Sequence, residues 1–254
     1  FAKWNIKVTG EQMPGMFAAS LPAYAALPPA IEPPEPEKRY ISLTRKERKL
    51  YDELNDYMAA ELEGDLLVTE MHTTLYQRLR ELCLGEFRVD YRTVINDEGV
   101  EEQKQTIRYE AGDPSSTIDE IKSILSDHPG ESVIVLTHSQ KWAEKAAADL
   151  GGKCYTGKQS IAQKEKLKDA FLAGEVKLLV GTDAMSEGLD GLQHVSRLAI
   201  IASRTSVNFK VGQFLGRVAR RGQKRPVLAY EIVREGTIDE GVVESSVLKI
   251  LESN

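Results

Sequence analysis

"SVIVLTHSQKWAEKAAADLGGKCYTGKQSIAQKEKLKDAFLAGEVKLLVG", residues 132–181, is the stretch on which the fold turns. "VIVL" near its head is an unbroken apolar run, as a strand buried on both faces requires. "KWAEKAAADLGG" follows, with Ala143, Ala146, Ala147 and Leu150 on one helical stripe and Gly151 placed to end it. "KCY" reads as a short strand. "SIAQKEKLKDAFLAG" reads as a helix, with Ser160 and Gln163 at the reciprocal positions of a capping box, and "VKLLVG" as another strand. Alternation of this kind implies an α/β fold, a mostly parallel sheet flanked by helices.

Outward from this centre the rhythm continues. "PSSTIDEIKSIL" begins a helix upstream; "RLAIIA", the helix "NFKVGQFLGRVA", the strand "VLAYEIV" and a helix from Thr237 follow downstream. Further upstream, Thr44 and Glu47 have capping-box spacing, and Leu50, Leu54 and Met58 recur every four residues on an amphipathic helix. "TTLYQRLRELCL" is a second helix. "DYRTVINDEGVEEQKQTIRYE" alternates β-branched and polar residues around a turn near Gly99, the mark of a hairpin. Residues 1–38 hold most of the prolines and read as a connector. Three parts result: the connector at 1–38, a helical and hairpin extension at 39–115, and the α/β core at 116–254.

The bulk composition, 41% apolar and 28% charged, is that of a globular protein, and no apolar run is long enough to cross a bilayer. Cys83 and Cys154 lie far apart without metal-ligand spacing, and the four histidines form no ligand-spaced pair. A disulfide framework and a metal site are therefore not expected, and a reducing cytoplasm is the default compartment. The chain starts at Phe1, which suggests a piece of a longer protein. Net charge is −6, which opposes indiscriminate binding of nucleic acid over the whole surface. Lys210, Arg217, Arg220, Arg221, Lys224 and Arg225 nevertheless fall in one run without an acid. That local cationic face suits a defined anionic target such as phosphate.

"GKCYTGKQ", Gly152 to Gln159, has the spacing of a phosphate-cradling loop, G-x-x-x-x-G-K-[ST], apart from its last residue. Such a loop must lie between a buried strand and the helix it opens. Here the first glycines end a helix, "KCY" is itself a strand, and Gln159 replaces the Mg²⁺-binding hydroxyl. A tight turn at Gly157 and Lys158, ahead of a helix whose exposed N–H groups could meet a phosphate, is the better reading. "IDEI" at 118–121 imitates an acidic Mg²⁺ motif but lacks the preceding hydrophobic strand; Asp119 and Glu120 are acids of a first helical turn.

Three further stretches carry the chemistry. "VIVLTHS" (Val133–Ser139), "LLVGTDAMSEGLDGLQ" (Leu178–Gln193) and "QFLGRVARRGQ" (Gln213–Gln223) resemble motifs IV, V and VI of superfamily 2 helicases. The R-x-x-R-x-G-Q ending, here Arg217, Arg220, Gly222 and Gln223, is similar to that of the Swi/Snf-like branch of DNA translocases. "SEGLDGLQ" departs from that branch's more Gly-rich motif V and leans toward other helicases. Residues 27–54 resemble the family's connector, which leads through a Leu-Pro segment and a strand into a helix, so the resemblance covers nearly the whole chain.

The resemblance implies a RecA-like second lobe, facing a first lobe absent from this chain that holds most of the ATP and Mg²⁺. Arg217 and Arg220 would be the arginine fingers that reach across the cleft, three residues apart on one helix face. Gly188, Asp190 and Gln213 would lie on the nucleotide side, Asp190 accepting from ribose hydroxyls. Thr137, Ser139, Gly157, Lys158 and Thr182 would contact nucleic-acid phosphates, with duplex DNA the favoured polymer. On this view residues 1–38 join the lobes, and the chain alone is inactive as an ATPase. Two rivals stand beside it: a self-sufficient kinase or ATPase using Gly152–Gln159, and a non-catalytic interaction module.

Overall fold

The computed structural model describes residues 32–241 apart from 63, 70, 71 and 205–207. Most of the connector read at 1–38, and most of the helix expected from Thr237, lie outside the described residues. Six strands form one sheet: β1 (Glu37–Ile41), β6 (Ser132–Leu136), β7 (Lys153–Tyr155), β8 (Leu178–Gly181), β9 (Ser196–Ile201) and β10 (Leu228–Arg234). Their order is β1-β10-β9-β6-β8-β7, and every pairing is parallel. This is the parallel α/β sheet expected from the alternation, in the RecA-like form that the resemblance implies.

Side chains of successive strand residues point to opposite faces, so an uninterrupted apolar strand feeds two cores. On β6, Val133 and Val135 join one core with Ile118 and Ile121 of α3 (Ser116–Asp127) and Trp142 and Ala143 of α4 (Gln140–Asp149). Ile134 and Leu136 join the other with Phe171 of α5 (Ile161–Leu172), Met185 of α6 (Ala184–Gly188) and Phe214 of α7 (Asn208–Leu215). Ser139 caps α4, and the expected Ser160–Gln163 capping box starts α5.

A third apolar cluster, including Leu50, Leu54, Leu82, Phe87 and Ile107, lies within the extension. Its helices are α1 (Arg45–Tyr57), opened by the Thr44–Glu47 capping box, and α2 (His72–Leu82). Met58 is not on the helical stripe that its spacing suggested. The helix ends at Tyr57, and Met58 takes a left-handed backbone, φ 55°, that turns the chain into β2 (Ala59–Leu62). β2 pairs antiparallel with β3 (Asp65–Val68), a hairpin that the weakly alternating "AAELEGDLLV" did not announce. The expected hairpin at 89–110 is present as β4 (Arg88–Ile95) and β5 (Glu101–Arg108), with Gly99 at φ 78° in its turn. Both cysteines are free.

β1 spans the boundary read at 38/39 and forms the sheet's edge against β10. Other contacts cross at 115/116. Glu47, itself buried, accepts from the Ser116 hydroxyl at 2.9 Å, and the Trp142 indole donates to the Leu84 carbonyl at 2.7 Å.

Candidate functional site

In a parallel sheet the carboxyl ends of the strands share one edge, where loops converge. β6 delivers Thr137, His138 and Ser139 there, β7 delivers Thr156, Gly157 and Lys158, β8 delivers Thr182, and β9 delivers Ser203 and Arg204. Thr137 is fully enclosed, with its hydroxyl 3.1 Å from that of Ser203. Ser139 is also buried, and its hydroxyl accepts from the Trp142 N–H as the cap of α4. Both hydroxyls are thus engaged inside the chain rather than presented to solvent.

Gly157 and Lys158 form an exposed turn after β7, and Lys158 pairs with Glu144 at 3.0 Å. Gln159 braces that turn: its amide accepts from the Thr156 N–H at 2.9 Å and donates to the Cys154 carbonyl at 2.5 Å. The phosphate-loop spacing of Gly152–Gln159 is therefore spread over a helix end, a strand and a turn, the arrangement read from sequence. Thr182 is half-buried where β8 meets α6, its carbonyl accepting from the Met185 N–H. Gly181 just before it has no room for a side chain. A Cβ there would lie 2.2 Å from the Tyr155 carbonyl oxygen and 2.5 Å from the Met185 sulfur.

The two arginines converge on the loop and helix that follow β8. Arg217 donates from Nε to the Ser186 carbonyl at 2.8 Å and also from Nη2 to the same oxygen. A short helix leaves its last carbonyls unpaired, so a guanidinium there both satisfies an acceptor and complements the helix dipole. The Ser186 hydroxyl in turn donates to the Lys210 carbonyl at 3.2 Å, which stitches α6 to α7. Arg220 forms an ion pair with Asp190, and both side chains are largely exposed, 49% and 74%. Gly191 follows with φ 91°, and Gly188 closes α6. Gln213 is half-buried on α7.

One expectation needs correction. α7 ends at Leu215, so Arg217 and Arg220 do not share a helix face. Tighter turns follow, with Arg217 N–H on the Phe214 carbonyl at 3.0 Å and Val218 N–H on that of Leu215 at 3.1 Å. Gly216 and Gly222, the latter at φ 101°, weaken the helix there and let the chain descend toward β10. A second correction concerns the basic run from Lys210 to Arg225, which is not one cationic face. Arg217 and Arg220 contact the segment after β8, whereas Arg225 pairs at 2.8 Å with Glu131, just before β6 at the opposite edge. Gln223 anchors the descent by donating to the Ser196 carbonyl at 2.8 Å.

Sequence reasoning missed the knot that holds the centre of the edge. The Ser203 hydroxyl meets His138 twice, its N–H at 3.1 Å and its Nδ1 at 2.7 Å. His138 Nε2 is buried without a partner. Burial, with the charges of Arg80 and Arg234 adding to it, pushes the His138 pKa down to about 3. Next to it Arg204 makes a two-point pair with the buried Glu231, and Arg80 donates to the Arg204 carbonyl. "ASR" after a strand carries no local signal for this; it exists only once β6, β9 and β10 are side by side. Among the described residues, no cluster of His, Cys, Asp or Glu could hold a metal ion, and no helix is long and apolar enough to cross a membrane.

The fold is a RecA-like parallel sheet, with Arg217 and Arg220 folded onto the segment beyond β8. Residues 116–222 match the helicase conserved C-terminal domain, and in that part the chain is similar to the C-terminal RecA-like lobe of superfamily 2 helicases. It is 24% identical over 207 residues to the DNA 3'-5' translocase XPB2 of Sulfurisphaera tokodaii, a match covering 80% of this chain and 44% of that protein. To the DNA 3'-5' helicase XPB of Mycobacterium tuberculosis it is 27% identical over 120 residues, 47% of this chain and 22% of that protein. The chain thus spans less than half the length of these relatives. In structure it is similar to the C-terminal part of the Fun30 ATPase domain, with a TM-score of 0.63 and 15% identity, covering 85% of this chain and 90% of that one. That likeness extends to the whole six-stranded architecture.

Proposed function

We propose that this chain is the C-terminal motor lobe of an ATP-dependent DNA translocase or helicase, of the Swi/Snf-like type suggested by its R-x-x-R-x-G-Q ending. ATP and Mg²⁺ are held mainly by a first lobe, which supplies the phosphate loop and Mg²⁺ acids. Arg217 and Arg220 then reach the γ-phosphate, where positive charge stabilises the transferring group. Asp190, Gly188 and Gln213 face the nucleotide, and Asp190 accepts from the ribose. Gly157, Lys158 and Thr182 grip the phosphates of duplex DNA, while Thr137 and Ser139 hold the loop beneath them in shape. Phosphate contacts carry no base information, as a translocating motor requires.

The observation that supports this most is the exposed pairing of Arg220 with Asp190 beside Arg217 on Ser186. An exposed ion pair is worth only about 0–1 kcal/mol, so Arg220 can leave Asp190 for a phosphate at little cost. In this state Arg220 is held by Asp190 and Arg217 by the Ser186 carbonyl; a bound triphosphate replaces those partners. The test is ATP hydrolysis by this chain mixed with a complementary first lobe in the presence of duplex DNA. Activity is expected only with both parts, and Arg217→Ala or Arg220→Ala lowers it by roughly 10³-fold or more. Robust turnover by this chain alone, or undiminished turnover by both variants, would overturn the assignment.

A further inference from the structure

The hairpin β4–β5 contributes to a second cationic feature outside the carboxyl edge. A groove of about 590 Å³ lies among α2, this hairpin and the first turn of α4, and Arg78, Arg92, Lys104 and Lys141 line it against one carboxylate, Glu81. The charges differ in how they are held. Arg78 pairs with Glu81 at 2.9 Å and donates to the Gln105 carbonyl at 3.2 Å. Lys141 donates to the Thr106 hydroxyl at 2.6 Å and to the Ile107 carbonyl, pinning the hairpin to α4.

Arg92 and Lys104 are different. They sit directly opposite each other in the antiparallel register, both exposed, and among the described residues no carboxylate pairs with either. The nearby acids are turned to amides instead: Glu102 accepts from the Asn96 side chain at 2.9 Å, and Asp90 from the Tyr91 N–H at 3.1 Å. Like charges directly opposed across two strands destabilise a hairpin. In a chain with 39 acids to 33 bases, an unneutralised cationic pair is not forced by composition. Its position matters too. Lys141 is two residues past Ser139, so the groove adjoins the start of the helix that rises from the carboxyl edge.

We propose that this groove is a second duplex-DNA backbone site, in which Arg92 and Lys104 each take a phosphate and Lys141 and Arg78 fix the hairpin that presents them. It rests on the reading of the chain as a DNA motor lobe and extends the grip beyond the Gly157–Thr182 edge. Phosphates between the two cations convert their repulsion into two attractions, so the cost of the opposed pair in the free chain is offset on binding.

The experiment is fluorescence anisotropy of a labelled 20-base-pair duplex of arbitrary sequence with this chain and with its Arg92→Gln/Lys104→Gln variant, from 50 to 200 mM salt. Each phosphate contact contributes about 0.9 to the slope of log affinity against log salt, so losing two lowers the slope by roughly 1.8. Across that fourfold range the wild type should lose about 12-fold more affinity than the variant. Removing opposed cations should also leave thermal stability unchanged or raised, the reverse of what a purely structural role gives. Wild-type binding with the variant's slope and affinity unchanged overturns the groove alone. No duplex binding by the wild type overturns it together with the motor reading. A variant that melts lower and binds less is checked by Lys104→Gln alone, which must reduce the slope by about 0.9 at unchanged melting temperature, or the proposal fails.

Discussion

At the scale of single residues, the groups that decide the site differ in how firmly they are held. Arg220 and Asp190 are exposed and can exchange partners, whereas the half-buried His138 has one nitrogen on Ser203 and the other, Nε2, buried with no partner among the described residues. The burial of this ring bears on acid stability. The His138 pKa is lowered from 6.5 to about 3, first by burial and then by the charges of Arg80 and Arg234. Between those values the unfolded chain takes a proton that the folded chain refuses. Stability from neutral His138 is therefore complete above pH 6.5 and lost as pH falls toward 3, at about 1.4 kcal/mol per pH unit. Urea unfolding at pH 7, 6 and 5 checks this against His138→Asn. Carboxylates titrate equally in both proteins, so the wild type should lose the extra increment per unit below pH 6.5. Parallel pH profiles would remove the basis for a neutral buried imidazole.

At the scale of elements, what was legible in the sequence was whatever local pattern dictates. The apolar run at Val133–Leu136, the capping boxes at Thr44 and Ser160 and the turn at Gly99 all form as their spacing requires. Features set by neighbours remote in sequence were not legible. Met58 continued a helical stripe until the need to enter β2 stopped it, and the helix before Arg217 lost its last turns to glycines and the descent into β10. The glycines show the same division. Gly157, read as a turn residue, has open space about it, whereas Gly181, at the end of the strand "VKLLVG", sits against a carbonyl of the adjacent strand. Gly181→Ala must push β7 or α6 away and is expected to cost about 1–3 kcal/mol or more, because a backbone oxygen cannot rotate aside. Gly157→Ala should stay within about 0.5 kcal/mol. Chemical denaturation of the two variants compares them directly, and equal effects would mean that the close approach at Gly181 is relieved at no cost. The same contrast separates site from scaffold, since Gly157→Ala is expected to change DNA affinity without altering stability.

At the scale of the molecule, the stretch matched at 116–222 does not contain the whole sheet. The sheet takes its edge strand β1 from residues 37–41, where it pairs with β10 from Glu37↔Tyr230 to Ile41↔Arg234. Side chains lock the join further: Arg48 donates to the Glu235 carbonyl at 2.7 Å, and the Tyr51 hydroxyl accepts from the Ile238 N–H at 2.9 Å. β10 carries the buried Glu231 that holds Arg204, and Arg234, wholly enclosed, bonds Thr117 and Asp239. Losing β1 would therefore expose a ladder of peptide groups beside a strand whose charged residues depend on exclusion of water. A chain starting at Leu43 should be less stable than one starting at Glu32 by several kcal/mol, because it loses the ladder with β10, each of whose hydrogen bonds contributes about 0.5–1.5 kcal/mol. It should also self-associate, since an unpaired strand edge is a template for another chain. Urea unfolding and sedimentation of the two proteins decide the matter. Equal stability with both monomeric would mean that β1 is an appendage, and that the sheet is complete without it.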